Sequence, residues 1–543
     1  MLSLKRLLTM INQVKKQPYL SWLFLFIGLL LISQLSPLFA NDYLNNDLNI
    51  NLSVAQSVAH GLVYFKDIFE QRGLYYILLL LPGAYLPNYY LFKGWIFLLE
   101  LISVFLSYYL LNKISKKHYW NVILILLLLF PIGLSSKYEP EEALMPCYFY
   151  LAYLVFNKKI NNQTIFITGL LFGFTIQVKY GAIGAFIGFY LAYGFYLLFK
   201  KQFKIFGQTV LYAFSGLLIM QIPVFIYWFI ANKTLNNINI YFKYYFVNNG
   251  SNLTFIPTVS MISIIALVMI IIIFAGIWPI VKGVINLNLK QRIIYFAMLF
   301  SAAYCSTLIG HSVPYYAIPI ICLCIALMSY GLAQNIAIKK SVKISLNILS
   351  SAIFSIYAVL TVYNIHDNFV SPTQFNCQNH FGQIIKKHHG GSILAYNMIP
   401  SNIWLSSNTY PQLYYFDRVN ISYHNNPTIY KTQYNYLIQT KPRWVVTQYQ
   451  IFEQPAKLKD YLAQRYYYDL RNNLFVNWQG KPFKIDNYTF YPYYRVPKAL
   501  LKKYNPVSFG ANQLKIHDNN TGYILWLRKG DPSTKQLPQI NIK

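Results

Sequence analysis

Leu74-Tyr-Tyr-Ile-Leu-Leu-Leu-Leu-Pro82-Gly83-Ala-Tyr-Leu-Pro87 is the stretch on which the topology of this chain turns. It is apolar almost throughout, yet Pro82-Gly83 interrupts it, and it is too short to cross a hydrocarbon core of about 30 Å comfortably. We read it as a re-entrant or interfacial helix. Around it, longer apolar runs recur near residues 19–40, 91–112, 119–136, 142–157, 163–179, 181–199, 206–231, 257–281, 293–310, 314–336 and 344–364, eleven in all. Cytoplasmic loops collect Lys and Arg, so charge tests the reading. With the N-terminus inside and 74–87 not crossing, 18 basic residues fall in inside segments against 7 in the outside loops before the tail. Letting 74–87 cross would invert the later loops and spoil that agreement.

Composition agrees with a polytopic membrane protein: 56% of the residues are hydrophobic and 11% charged. The formal charge of +30 invites a nucleic-acid reading, but most Lys and Arg before residue 365 stand in short clusters between apolar runs, as cytoplasmic loops do. Cys147, Cys305, Cys322 and Cys324 lie in apolar stretches and Cys377 in the tail, giving neither a disulfide framework nor a metal-type spacing. Lys5, Arg6, Lys15 and Lys16 precede the first apolar run, which has no small-residue cleavage site; the expectation is a retained span.

An odd number of spans places residues 366–543 outside, and there the membrane signature stops. Strand-like runs at Ser392–Tyr396, Trp444–Gln448 and Tyr523–Leu527, with a helix-like stretch at Ala456–Tyr466, predict a soluble mixed α/β domain. Its 21 Lys and Arg against 8 Asp and Glu favour anionic lipid headgroups or wall polymers. The fold expected is therefore mainly α: a membrane helix bundle over 1–365, with outer loops at 41–90 and 137–142, followed by an extracytoplasmic α/β domain.

Chemistry is confined by the carboxylates. From 143 to 366 there is no Asp or Glu, and of the eight acids before that gap all but Glu100 fall in two clusters on the outer face. The first holds Asp42, Asp47, Asp67 and Glu70, followed by Arg72; the second is Glu139-Pro140-Glu141-Glu142. An Asp at the membrane rim beside a basic residue suits glycosyl transfer, the Asp taking the acceptor proton and Arg72 neutralising the departing phosphate. Asp47 serves equally well as a helix N-cap, Asp67 and Glu70 as loop residues, and Arg72 as an interface anchor. Pro140 followed by acids is a good helix start, although two facing acidic loops also suit an acid/base pair or a metal. Lys179, against the positive-inside trend, either snorkels to headgroups or binds donor phosphate. His311, in a short outer loop, is either structural or orients phosphate or acceptor.

The pattern Asp47…Gly61-x-x-Tyr64-x-x-Asp67-x-x-Glu70-x-Arg72-Gly73, then Glu141-Glu142-x-x-x-Pro146, then His311…Tyr315-Tyr316-x-x-Pro319, resembles the GT-C superfamily of integral-membrane glycosyltransferases over residues 1–365. The nearest branch is that of the bacterial dolichyl-phosphate-mannose-protein mannosyltransferase-like proteins and the lipid A aminoarabinose transferases. The resemblance implies inverting transfer of a sugar from a polyprenyl-phosphate donor to a cell-envelope polymer, lipid or protein at the outer face. It maps the base onto Asp47, the second acid onto Glu141 or Glu142, and the phosphate contact onto Arg72. Lys179 and His311 join the phosphate site, with Asp67, Glu70 and Tyr315 as further candidates. A divalent metal held by Asp47 and Glu141 is the one cofactor under consideration. The rival readings are a lipid-linked-sugar flippase and a non-catalytic envelope-assembly protein.

Overall fold

The computed structural model describes residues 18–38, 46–86, 89–126, 138–157, 160–232, 259–308, 314–334, 377–396, 402–417, 428–452, 483–485, 488–492, 498–512 and 520–537, with 355, 359, 398 and 400 besides. The expected span 344–364, most of 119–136, the helix-like stretch 456–466, Asp42 and His311 lie outside the described residues. Elsewhere the apolar runs become helices with ends a few residues from those expected: Tyr89–Ser115, Asn162–Val178, Gly184–Phe199, Phe203–Asn232, Val259–Asn286, Leu289–Thr307 and Ile318–Ala333, whereas the first run, expected to reach residue 40, is helical only over Pro18–Ile32. Among the described residues, Tyr90–Ser115, Phe203–Ala231 and Tyr315–Ala333 are long and apolar enough to cross a membrane.

The stretch 74–87 forms the short helix Leu74–Ala84, with Pro82 in its last turn, where the helix ends soon afterwards. It packs on Asn46–Ala59, Tyr89–Ser115 and Asn162–Val178. One expectation is corrected here. Residues 142–157 are not one helix: a short helix Pro140–Ala143 breaks at Leu144, and Met145–Phe156 continues beyond it. Pro146, at the start of the second helix, is well placed for the break because it has no N–H to give.

Close helix contact depends on small residues, as is usual in membrane bundles. A Cβ on Gly169 would lie 2.2 Å from the Ala213 carbonyl oxygen, and one on Gly216 would lie 2.3 Å from that of Phe166. These two glycines let Asn162–Val178 and Phe203–Asn232 meet backbone to backbone. Lipid-type side chains such as Phe214, Leu218, Phe225 and Phe229 stand exposed along the latter helix.

Beyond residue 376 a six-stranded sheet forms. Its order is β3 (Phe483–Ile485), β4 (Tyr488–Pro492), β2 (Trp444–Phe452), β6 (Asn520–Arg528), β5 (Tyr504–Asn512), with β1 (Ile393–Tyr396) parallel to the first half of β2. The three expected strand runs are the cores of β1, β2 and β6. Their alternation buries Trp444 and Val446 on one face and Val445 and Trp526 on the other. The polar ends of the tryptophans are satisfied: Trp526 Nε1 donates to Thr447 at 2.7 Å and Trp444 Nε1 to the Gly390 carbonyl at 2.9 Å. One contiguous apolar core runs from the helices of the bundle to the Trp444 face of this sheet.

Candidate active site

The helix Asn46–Ala59 carries Asp47 in its first turn, so the residue sits one place inside the helix rather than before it. Its carboxylate is occupied elsewhere. Asp47 Oδ2 accepts from Arg72 Nη2 at 3.4 Å and from the Tyr315 hydroxyl at 3.2 Å. An acid here also suits the positive end of the helix dipole. Its side chain is 33% exposed, whereas those of Glu139 and Glu141 are 1% and 2% exposed, so Asp47 is the acid that solvent or a substrate can reach.

Arg72 is held by the loop that ends at Gly73. The Tyr64 hydroxyl reaches the carbonyls of Glu70 at 3.0 Å and Arg72 at 2.6 Å, and the Gly73 N–H donates to the Val178 carbonyl at 3.3 Å. That last bond joins the loop to the end of Asn162–Val178, the residue before Lys179. Two cations distant in sequence are thereby brought to one place. Arg72 Nη2 is also 4.0 Å from Glu139 Oε2. Burial works against its charge, but Asp47, Tyr315, Glu70 and Glu139 more than offset this and hold it above its usual value.

Lys179 ends its helix in extended backbone, with its N–H on the Thr175 carbonyl. It is buried and ion-paired to Glu141, and its ammonium lies 4.0 Å from the ring centre of Tyr316 and 5.2 Å from that of Tyr315. An ammonium on aromatic faces beside a carboxylate is a stable buried arrangement, so the snorkelling alternative is set aside. Tyr315 and Tyr316 come from the short 3-10 turn Pro314–Ala317 that precedes Ile318–Ala333.

The second acidic loop is anchored through Tyr138, whose left-handed backbone (φ 49°) directs its carbonyl to the Tyr76 hydroxyl. Successive helical residues point about 100° apart. Glu141 accordingly meets Lys179, while the buried Glu142 lies near Tyr138 and Tyr76 instead. Glu139, which was not singled out as a site residue, is the acid of this second loop that faces Arg72. Burial first, then the charges of Asp47 and Glu141, push its carboxyl up to about 8, with Arg72 and Lys179 acting the other way.

Of the remaining candidates, Asp67 accepts the Val63 N–H at 2.8 Å and closes the turn that carries the loop. Glu70 is buried and shifted upward by desolvation, with Arg72 lowering and Asp47 raising it. Asp47 and Glu141 are the acids that a divalent metal would engage here. Each is paired with a cation, and no group of three His, Cys, Asp or Glu suited to a metal occurs among the described residues. Glu100, inside the bundle, accepts from Ser33 at 2.6 Å.

Two structures of ArnT from Cupriavidus metallidurans are similar to this one. The form bound to undecaprenyl phosphate aligns over 86% of this chain and 97% of its own at 11% identity and TM-score 0.53. The apo form aligns over 82% and 95% at 10% identity and TM-score 0.53. The Archaeoglobus fulgidus oligosaccharyltransferase, solved with Zn and sulfate, aligns over 88% and 72% at 10% identity and TM-score 0.48. No family model matches the chain, and no curated protein matches it in sequence. At these identities the likeness is one of fold alone, shared with the ArnT structures over most of both chains.

Proposed function

We propose that this chain is an inverting glycosyltransferase that takes one sugar from a polyprenyl-phosphate donor and places it on a cell-envelope polymer, lipid or protein at the outer membrane face. The observation that carries this reading is the Asp47–Arg72 pair, a reachable carboxylate 3.4 Å from a buried guanidinium. The fold it shares with ArnT bound to undecaprenyl phosphate supports the choice of donor.

The chemistry follows from the charges. Asp47 accepts the proton of an acceptor hydroxyl, a general-base contribution of roughly 10²–10⁴-fold. The acceptor oxygen forms a bond to the anomeric carbon on the face opposite the phosphate. The bond from that carbon to the phosphate oxygen breaks, and its electron pair leaves with the polyprenyl phosphate. The leaving phosphate gains charge as the bond breaks, and the donors of Arg72 and the ammonium of Lys179 are set to receive it. Glu141 holds Lys179 in place, and Tyr315 fixes the orientation of the base.

The test compares the mass of envelope glycans from cells with and without the chain. Loss of one defined sugar supports transfer and names donor and acceptor together; unchanged glycan in the absence of the chain overturns it. Flux of a lipid-linked sugar across proteoliposomes, without transfer, would establish the flippase reading instead.

A further inference from the structure

The helices Gly184–Phe199 and Leu289–Thr307 run antiparallel, since Gly188 meets Ala297 and Met298 while Gly184 meets Ser301 and Ala302. The contact is close: a Cβ on Gly188 would lie 2.3 Å from the Ala297 carbonyl oxygen. Gly184–Phe199 starts just after the turn Tyr180–Ala182 that follows Lys179, and its length carries Phe199 about 24 Å away from that turn. The same register brings Tyr196 to Lys290. The two meet at the end of the bundle away from Asp47 and Arg72.

There the Lys290 ammonium lies 4.8 Å from the ring centres of both Tyr193 and Tyr196. Tyr193, Tyr196 and Lys200 follow one another at helical spacing, so Lys200 continues the same face one turn further on. Lys200, Lys201 and Lys204 stand in the open, as loop cations at a membrane face do. Lys290 differs from them, being half-buried with its charge withdrawn onto two rings. An ammonium taken from water calls for a counter-charge. The helices packed on this pair, Met145–Phe156, Phe203–Asn232, Val259–Asn286 and Ile318–Ala333, supply none, because residues 143–366 hold no Asp or Glu. Exposed apolar side chains flank the seam, Phe195 and Phe199 on one helix and Leu289 and Ile293 on the other. A cation in a seam between membrane helices, with apolar surface beside it, suits a lipid phosphate and its acyl chains together.

We propose that the seam between Gly184–Phe199 and Leu289–Thr307 binds an anionic phospholipid, its headgroup phosphate on Lys290 with Lys200 beside it, and its acyl chains along Phe195 and Ile293. The site is separate from the Asp47–Arg72 pair and does not depend on the glycosyltransferase reading. Bound there, the lipid joins the two helices at the end opposite the Lys179 turn, and it stabilises the bundle in proportion to the anionic lipid present.

The experiment titrates the purified full-length protein, in neutral detergent, with dioleoyl phosphatidylglycerol or dioleoyl phosphatidylcholine and counts bound lipid by native mass spectrometry. The wild type is expected to bind the anionic lipid about tenfold more tightly than the neutral one. Lys290→Gln is expected to weaken the anionic lipid about tenfold and to leave the neutral lipid unchanged, whereas Lys290→Arg keeps the preference. Lys113→Gln removes an equal charge from an exposed position on another helix, where the ammonium also rests on a tyrosine ring, and is expected to change neither. Should Lys290→Gln fail to fold, Lys290→Met and Lys200→Gln give the same comparison. A wild type that binds both lipids alike overturns the proposal, as does equal weakening by Lys290→Gln and Lys113→Gln, which would make the attraction one of diffuse surface charge. Displacement of phosphatidylglycerol by millimolar inorganic phosphate would make the ligand a free anion and overturn it too. If Arg72→Met removes the preference and Lys290→Gln does not, the lipid occupies the Arg72 site and the proposal falls.

Discussion

Arg72 stands between two acids from different loops, its Nη2 3.4 Å from Asp47 Oδ2 and 4.0 Å from Glu139 Oε2. The two acids differ in state. Asp47 is one-third exposed, whereas Glu139 is buried and its carboxyl is pushed up to about 8. One guanidinium thus stands between a reachable acid and a buried one.

This arrangement sets an alkaline limit. As pH rises through about 8, Glu139 ionises and places a second negative charge beside Arg72, in competition with donor phosphate. Donor KM is expected to rise above that pH and to be steady just below it. Glu139→Gln, which cannot ionise, should remove the rise; a Gln variant with the wild-type profile would show that another group titrates.

Replacing Arg72 by Met removes the charge while keeping much of the volume. Loss of a charge-assisted contact to phosphate corresponds to roughly 10- to 100-fold weaker donor binding. Titration of undecaprenyl phosphate against the variant checks this. Arg72→Lys should recover only part of the loss, since an ammonium cannot reproduce the guanidinium fork.

The helix contact behind the site is equally specific. In Gly169→Val, the new Cβ would lie 2.2 Å from the Ala213 carbonyl oxygen, so Asn162–Val178 and Phe203–Asn232 must move apart. Overpacking of about 1–3 kcal/mol corresponds to a lower melting temperature by several degrees. Lys179, one residue beyond the end of the displaced helix, should lose register with Glu141, and activity should fall together with stability. Gly207, with nothing near its Cβ, should accept alanine without either effect.

Much of this site can be read from the order of residues, because acids are scarce before residue 366 and those of the outer loops had to fall together. Asp47 pairs with Arg72 and Glu141 with Lys179, and the Gly73–Val178 bond brings the two pairs to one place. The choice among Glu139, Glu141 and Glu142 was not legible, because it depends on the break at Leu144 and on the helical phase of a four-residue helix. The docking of the tail on the first outer loop carried no signal at all. Tyr410 stacks on His60, and the Pro411 and Tyr414 carbonyls accept from Ser57 and Phe69, some 350 residues earlier. The strands β1, β2 and β6 were legible from alternation, whereas their arrangement with β4 and β5 rests on pairings between distant segments.

The central claim is that Asp47 is the base of a sugar transfer, and Asp47→Asn tests it most directly. Transfer is measured with wild-type and variant protein in the same proteoliposomes, beside melting temperature and undecaprenyl phosphate binding. The account predicts a fall in transfer of roughly 10²–10⁴-fold, with melting temperature and lipid binding retained. Wild-type transfer by the folded Asp47→Asn protein would contradict it.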